Sequence, residues 1–250
     1  MQVSQYFTEH IKPFAPEKYH DSLRNYFYQH LPEKLKLNSI VTVFGHKSFV
    51  HENINGLFES YERLEFLGDA VLQLIISQKL FKKFPDFTEG DLSKMRSALV
   101  NEQILSQLFS VLNLENYILL GRGELKENGH LKTSIQSNVY EAILGSLYVE
   151  EGMESAEAFL DETIRLFEQK FNKVFFSIDI TKSFDAKTKL QELVMKKYQT
   201  LPKYNIKEVN GSMFEITLEI DKQQVGKVQN ASKKKGMQVL AKKILEKNIL

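Results

Sequence analysis

Three acidic residues recur inside an apolar, helix-forming stretch early in the chain. The segment YERLEFLGDA, residues 61–70, spaces Glu62, Glu65 and Asp69 at i, i+3 and i+7, so a helix would carry all three on one face. Carboxylates on one stripe repel each other, so they need a bound cation, basic partners or exposure to solvent. Because the flanking residues are almost all apolar, the pattern favours a buried cleft over a solvated surface.

Helical periodicity continues through most of the first 171 residues. The stretch after Asp69 is nearly too apolar for a surface helix, so its apolar residues are expected in the core: Val71, Leu72, Leu74, Ile75, Ile76, Leu80 and Phe81. The same period runs on through DLSKMRSALVNEQILSQLFSVL, SNVYEAILGSLYVEEG and SAEAFLDETIRLFEQKF. By contrast, the glycine-rich segment GRGELKENGHLKTS, residues 121–134, is predicted to be a loop.

A second acid of the same kind is Glu141, which follows Asn138 by three positions on a predicted apolar helix. Two such helices facing each other would bring carboxylate and amide oxygens together. Those ligands suit Mg²⁺ or Mn²⁺, which assist phosphoryl transfer. The lone His46 is interpreted as structural.

Composition limits the classes of protein that need to be considered. With 250 residues and 42% hydrophobic content the chain can bury a core, and without cysteine it has neither disulfides nor a thiolate metal site. It shows neither a membrane-spanning apolar run nor a secretory start, so we expect a cytoplasmic protein with no membrane association.

Charge and pattern both change near residue 184. Residues 1–184 carry a net charge of −6 and the remainder +7. On charge alone, this is either a basic tail that meets a polyanion or a chance asymmetry between two solvated surfaces. The tail reads α-β-β-β-α, with Asn210 and Gly211 as a turn and Ser232 as the cap of the last helix. We expect domains at 1–171 and 185–250, joined by a linker at 172–184 in which Phe175 and Phe176 pack down.

The motifs YERLEFLGDAVL, FTEGDLSKMRSALVN, LGRGELK and SNVYEAILGSLY, in this order, resemble the catalytic domain of bacterial-type ribonuclease III. The tail resembles the double-stranded-RNA-binding domain that follows it in that family. The resemblance implies an all-α endonuclease domain followed by a small α+β domain. It further implies a homodimer that cuts double-stranded RNA in rRNA and mRNA processing by two-metal-type hydrolysis, leaving 5′-phosphate and 3′-hydroxyl ends with short 3′ overhangs.

The resemblance also assigns site residues. The family's catalytic metal site, for Mg²⁺ or Mn²⁺, maps onto Glu65, Asp69, Asn138 and Glu141, and its accessory acids map onto Glu62 and Glu89. Its RNA contacts map onto Gln191 and Glu192 in the first helix of the tail and onto Ser232, Lys233, Lys234 and Lys235 in the last. The loop at EVNGSMFEI is short and lacks the family's histidine, so its contact is either missing or made by Asn210 or Ser212, and weaker RNA affinity is expected.

One departure bears on activity, because the family ordinarily has Asp where this chain has Asn138. An amide oxygen can ligate a metal but brings no negative charge. Three interpretations stay open: an active natural variant, a weakened or inactive paralogue, and a substitution made to trap substrate. We favour retained activity because Glu65, Asp69 and Glu141 are all present. The alternative functions are a catalytically silent double-stranded-RNA-binding protein and an acidic cluster that only forms salt bridges at a dimer interface.

Overall fold

The computed structural model describes residues 18–19, 21–23, 40–53, 59–177, 186–209 and 213–246. The chain divides into two compact units, Met1–Phe176 and Ser177–Leu250. The division falls inside the segment predicted as a linker. Phe175 is buried and its ring meets that of Phe167 edge-on, with centroids 5.5 Å apart, so the start of that segment packs onto the first unit.

The regular secondary structure of the first unit is helical in the described residues, apart from an isolated β-bridge between Gly45 and Leu119. Its helices are α1 (Ile40–Phe44), α2 (Lys47–Glu52), α3 (Glu62–Lys83), α4 (Glu89–Leu99), α5 (Glu102–Ser110), α6 (Arg122–Lys126), α7 (Thr133–Glu151) and α8 (Met153–Phe171). Among the described helices none is both long enough and apolar enough to cross a membrane.

Helix α7 forms the centre of this unit, and α3 packs along it. From Ile135 to Leu147 most side chains of α7 are buried. One side of α3 is buried as expected, through Val71, Leu72, Ile75, Ile76 and Leu80. The placement of Leu74 and Phe81 in the core was wrong, because both lie on the side of α3 that faces away from α7 and are exposed.

Two local predictions also need correction. The periodic segment after Pro85 is two helices, because Asn101 ends the run and its side-chain oxygen accepts hydrogen bonds from the backbone N–H groups of Gln103 and Ile104, the pattern of an N-cap. The segment 121–134 is not only loop, since it contains α6 and the 3₁₀ turn Gly129–Leu131. Short helical turns of this kind are compatible with the polar composition that suggested a loop.

The second unit has the predicted order of one helix, three strands and one helix. Helix α9 (Ala186–Tyr198) precedes β1 (Lys203–Val209), β2 (Met213–Ile220) and β3 (Gln223–Asn230), and α10 (Lys233–Glu246) follows. The strands form an antiparallel sheet in sequence order, with Val209 opposite Met213. Both helices pack on one face of it through Leu190, Val194, Leu240 and Ile244. The predicted turn at Asn210 and Gly211 lies outside the described residues.

Candidate active site

Two glycines bring the acid-bearing helices α3 and α7 into backbone contact. A Cβ atom on Gly68 would stand 1.8 Å from the carbonyl oxygen of Glu141, and one on Gly145 would stand 2.2 Å from that of Leu64. Only glycine permits such an approach at either position. Because Gly68 precedes Asp69 and faces Glu141, this crossing sets the acids of the two helices opposite each other.

The pKa of Glu141 reflects both its burial and the carboxylates near it. Burial raises its pKa to about 8, and the negative charges of Asp69, Glu65 and Glu102 add to the effect. A carboxyl group that is half-withdrawn from water and surrounded by like charges holds its proton because the ionised form is disfavoured. Glu65, Asp69 and Glu141 therefore influence one another electrostatically across α3 and α7.

The pKa of Glu65 is shifted by the same kind of environment, and one positive charge opposes the shift. Burial raises its pKa, Glu62 and Asp69 raise it further, and the Lys47 ammonium opposes them. Lys47 reaches this region from α2 and lies 3.4 Å from a carboxylate oxygen of Glu62. Glu62, which was predicted to be an accessory acid, is thus partly neutralised at the exposed start of α3.

Asp69 is oriented by a residue that sequence reasoning missed. The side-chain amide of Gln73 donates to both carboxylate oxygens of Asp69, each at 2.9 Å. The carbonyl of Gln73 accepts from Ser77, whose hydroxyl accepts from Arg96 on α4 at 3.0 Å. This chain of bonds fixes the part of α3 that carries Asp69 and gives Arg96 a structural role. The spacing of four residues on one helix was the signal for Gln73.

Asn138 lies one turn before Glu141 on α7, beside the hydroxyl of Tyr61. Burial raises the pKa of Tyr61, and hydrogen bonding to the Asn138 amide acts in the opposite direction. The Ser137 hydroxyl also points to the Asn138 side-chain oxygen, at 3.4 Å. Asn138 also lines a pocket of about 210 Å³, whose other lining residues include uncharged side chains.

Glu89 is not drawn into this cluster by any described interaction. It begins α4, where Thr88 and Asp91 form a capping box, and it accepts a hydrogen bond from Ser93 at 2.9 Å. Among the residues that the structure describes, no three carboxylate or imidazole side chains converge closely enough to hold a metal ion as they stand. The oxygen donors suit Mg²⁺, and a cation would favour the ionised form of Glu141, which burial and then the neighbouring negative charges disfavour. The residues present therefore fit such an ion once their side chains draw together.

The start of α10 presents exposed cations in the second unit. The hydroxyl of Ser232 accepts from the backbone N–H of Lys235 at 3.4 Å, which is the N-cap bond predicted for it. Lys233 lies over the ring of Phe214, 4.8 Å from its centroid, and Lys235 is exposed. Gln191 lies half-buried on α9, whereas the side chains of Glu192 and Lys234 lie outside the described residues.

The sequence pattern did not predict the ion pair of Lys47 with Glu62 or the repulsion between Glu102 and Glu141. Each pair joins residues well separated along the chain, on different helices, so only the packing of those helices brings them together.

Comparison with known proteins follows the same division into two parts. Residues 36–166 match the family model described as Ribonuclease-III-like, and residues 186–248 match that of the double-stranded RNA binding motif. The chain is 38% identical over 203 residues to Ribonuclease 3 of Treponema denticola, covering 80% of each protein. It is 39% identical over 214 residues to Ribonuclease 3 of Campylobacter jejuni, covering 84% of this chain and 90% of the relative.

A solved structure of the nuclease domain of ribonuclease III from Campylobacter jejuni is also similar. It has 38% sequence identity and a TM-score of 0.50, and the match covers 64% of this chain and 100% of that one. That work concerns structural flexibility in a region of the Campylobacter domain that is involved in dimer formation.

Proposed function

The chain belongs to the ribonuclease III family, and we propose that it hydrolyses double-stranded RNA with the acids gathered where α3 crosses α7. The observation that carries this assignment of the site is the close crossing of α3 and α7 at Gly68 and Gly145, which brings the charges of Asp69 and Glu65 to bear on the buried Glu141. Solvated, independent carboxylates on one helix would not affect each other in this way.

We propose Glu65, Asp69, Asn138 and Glu141 as the residues that hold Mg²⁺, with Mn²⁺ as a substitute. When bound, the ion would supply positive charge at the scissile phosphate and lower the pKa of the attacking water. Gln73 keeps Asp69 in one orientation, and Glu141 has to release its proton to become a ligand. A second ion, as two-metal hydrolysis requires, would draw on the accessory acids Glu62 and Glu89.

Asn138 makes a weakened site the main alternative. Its amide carries no charge, so the four proposed ligands have one negative charge fewer than a set with aspartate. Glu102 supplies a further carboxylate near Glu141, which supports retained activity. The competing function is a silent double-stranded-RNA-binding protein, which would use the second unit alone.

We propose that the second unit binds the RNA backbone through Ser232, Lys233, Lys234 and Lys235, with Gln191 and Glu192 on α9 as further contacts. Lysines at the start of a helix add their charge to the positive end of the helix dipole, which favours phosphate. Such contacts read the shape of an A-form duplex rather than its base sequence.

We further propose that the first unit forms a homodimer through the side of α3 that faces away from α7. Phe66 is 81% exposed and Phe81 is 73% exposed, with Leu74 between them. Large apolar side chains on one exposed face are typical of protein interfaces. A dimer would place two sites on one duplex, one for each strand. We propose 5′-phosphate and 3′-hydroxyl products with short 3′ overhangs, and rRNA and mRNA precursors in the cytoplasm as substrates.

The test is to incubate the chain with long double-stranded RNA, single-stranded RNA and double-stranded DNA over a series of Mg²⁺ and Mn²⁺ concentrations and to map the product ends. We expect metal-dependent cutting of double-stranded RNA only, lost in Glu141→Ala. Binding without cutting in the chain and in Asn138→Asp would instead establish the silent alternative.

A further inference from the structure

A pocket lies beside the proposed site of hydrolysis, and Glu62 is the one acid in its described lining. It encloses about 210 Å³ between the starts of α2, α3 and α7. Its polar lining comes from His46, Lys47, Tyr61, Glu62, Ser134 and Asn138, and Ile135 supplies an apolar wall.

The position of the pocket connects it to the site of hydrolysis. Glu62 lies one helical turn before Glu65 on α3, and Asn138 lies one turn before Glu141 on α7. One turn of helix is about 5.4 Å. The pocket therefore lies about as far from the acids as one nucleotide lies from the next. A duplex held at the acids would bring its neighbouring sugar and phosphate to this opening.

The residues that line the pocket are mostly polar, and the positive and negative side chains among them form an ion pair. The only cation–carboxylate pair is that of Lys47 and Glu62, at 3.4 Å, within the described lining. His46 caps α2 by accepting from the backbone N–H of Ser48 through Nδ1, and burial lowers its pKa, which keeps the ring neutral. Hydroxyl groups come from Tyr61 and Ser134, and the amide comes from Asn138.

This set of groups discriminates between candidate ligands. A phosphate would face the Glu62 carboxylate, and a divalent cation would find only that one carboxylate in the lining and Lys47 beside it. A sugar hydroxyl both donates and accepts, and so matches the hydroxyl, amide and paired charges. The half-buried ring of His46, whose centroid lies 5.9 Å from that of the buried Tyr61 ring, adds apolar surface for a sugar ring.

We propose that this pocket receives the ribose next to the scissile phosphate and that the Tyr61 hydroxyl, with Ser134, contacts its 2′-hydroxyl. The Tyr61 hydroxyl belongs to the lining of the pocket and can both donate to and accept from such a group. The inference rests on the proposed function and deepens it, because the pocket would make RNA, rather than DNA, the duplex that is correctly seated for hydrolysis at the acids.

The experiment compares single-turnover cleavage of an RNA duplex with that of duplexes carrying one 2′-deoxy nucleotide at each position around the cut. At one position next to the scissile phosphate we expect the full chain to cut about three- to tenfold more slowly, the effect of one lost hydrogen bond. Tyr61→Phe should cut the all-RNA duplex at the reduced rate and show no further loss with the deoxy duplex. Tyr148→Phe, on α7 and ten residues after Asn138, is the matched control. It should keep the full difference in rate between the all-RNA and the 2′-deoxy duplex.

Three results would overturn the proposal. The first is an equal 2′-deoxy penalty in the chain and in Tyr61→Phe. The second is the absence of any position with a penalty. The third is a loss of cleavage rate that appears only when the neighbouring phosphate is replaced by a neutral methylphosphonate and that disappears in Lys47→Met. That result would make the pocket a phosphate site.

If neither the chain nor Asn138→Asp cuts any duplex, the proposed catalytic function fails separately. The same comparison is then made with the dissociation constants of the full chain for these duplexes. A 2′-deoxy penalty that is absent in Tyr61→Phe still supports the pocket, and equal penalties overturn it.

Discussion

At the scale of single residues, Glu141 sets the charge balance of the site. Its pKa is raised from 4.5 to about 8, first by burial and then by Asp69, Glu65 and Glu102. Between these two values the folded protein keeps a proton that the unfolded chain has released. The free energy of unfolding of the metal-free protein should therefore fall as the pH rises through this window.

Glu141→Gln should remove that dependence, because an amide does not ionise. In metal-free buffer near pH 8 we expect the variant to melt at least about 2 °C above the unchanged protein. Addition of Mg²⁺ should stabilise the unchanged protein and leave the variant's melting temperature where it was. Thermal melts across pH with and without Mg²⁺ measure both effects.

The control is Glu154→Gln, which alters an exposed glutamate at the start of α8. It should follow the unchanged protein under all conditions. If Glu141→Gln behaves like Glu154→Gln, the carboxylates do not act on one another and the proposed metal site is wrong.

At the scale of secondary-structure elements, the crossing of α3 and α7 determines whether the acids meet. Gly68 and Gly145 remove the side chains that would hold the helices apart. The crossing also explains why residues 76 positions apart in sequence, Glu65 and Glu141, share one electrostatic environment.

Gly68→Ala should force these helices apart, since its Cβ would meet backbone atoms that cannot rotate away. We expect a loss of about 3 kcal/mol or more in the free energy of unfolding, measured by urea denaturation, together with loss of cleavage. Gly123→Ala in α6 is the matched control, because its Cβ would meet nothing within 4 Å. Equal stability of the two variants would contradict the close crossing.

In the second unit, the start of α10 can be tested independently of catalysis. Lys235→Ala should weaken binding of double-stranded RNA and reduce the slope of log K against log salt by about 1, because one phosphate contact is lost. Lys242→Ala, further along the same helix and paired with Glu246 at 3.8 Å, is the control. A titration series at several salt concentrations that gave both variants the same slope would remove α10 from the interface.

The elements were more predictable from sequence than their surroundings. Helix spacing alone placed Glu62, Glu65 and Asp69 on one face of α3, and strand alternation identified β1, β2 and β3. The exposure of Leu74 and Phe81 could not be read in this way, because an equally apolar run fits a buried helix and an interface helix. The pairing of Lys47 with Glu62 depends on how α2 meets α3, which local periodicity does not encode.

At the scale of the whole molecule, the exposed apolar face of α3 and the separation of charge along the chain suggest different tasks for the two units. Residues 1–184 are acidic overall and the rest are basic. The acidic part holds the proposed ion and the proposed dimer face, whereas the basic part holds the proposed RNA contacts.

Phe66→Asp should disrupt the dimer by placing a charge within the proposed apolar interface. We expect sedimentation to give the monomer mass for this variant and the dimer mass for the unchanged chain, with the same circular dichroism. Val174→Asp changes another exposed apolar residue outside α3 and should remain dimeric. A monomeric unchanged chain, or dimers in all three proteins, would refute the proposed face.

The central claim is that Glu65, Asp69 and Glu141 support metal-dependent cleavage although Asn138 stands where an aspartate is usual. The most direct measurement is the initial rate of cleavage of long double-stranded RNA over a Mg²⁺ series by the unchanged chain, Asn138→Asp and Glu141→Gln. We predict cutting by the unchanged chain, a several-fold lower half-saturating Mg²⁺ concentration for Asn138→Asp because of its added charge, and none for Glu141→Gln. Cutting by Asn138→Asp alone, or by Glu141→Gln at the unchanged rate, would contradict it.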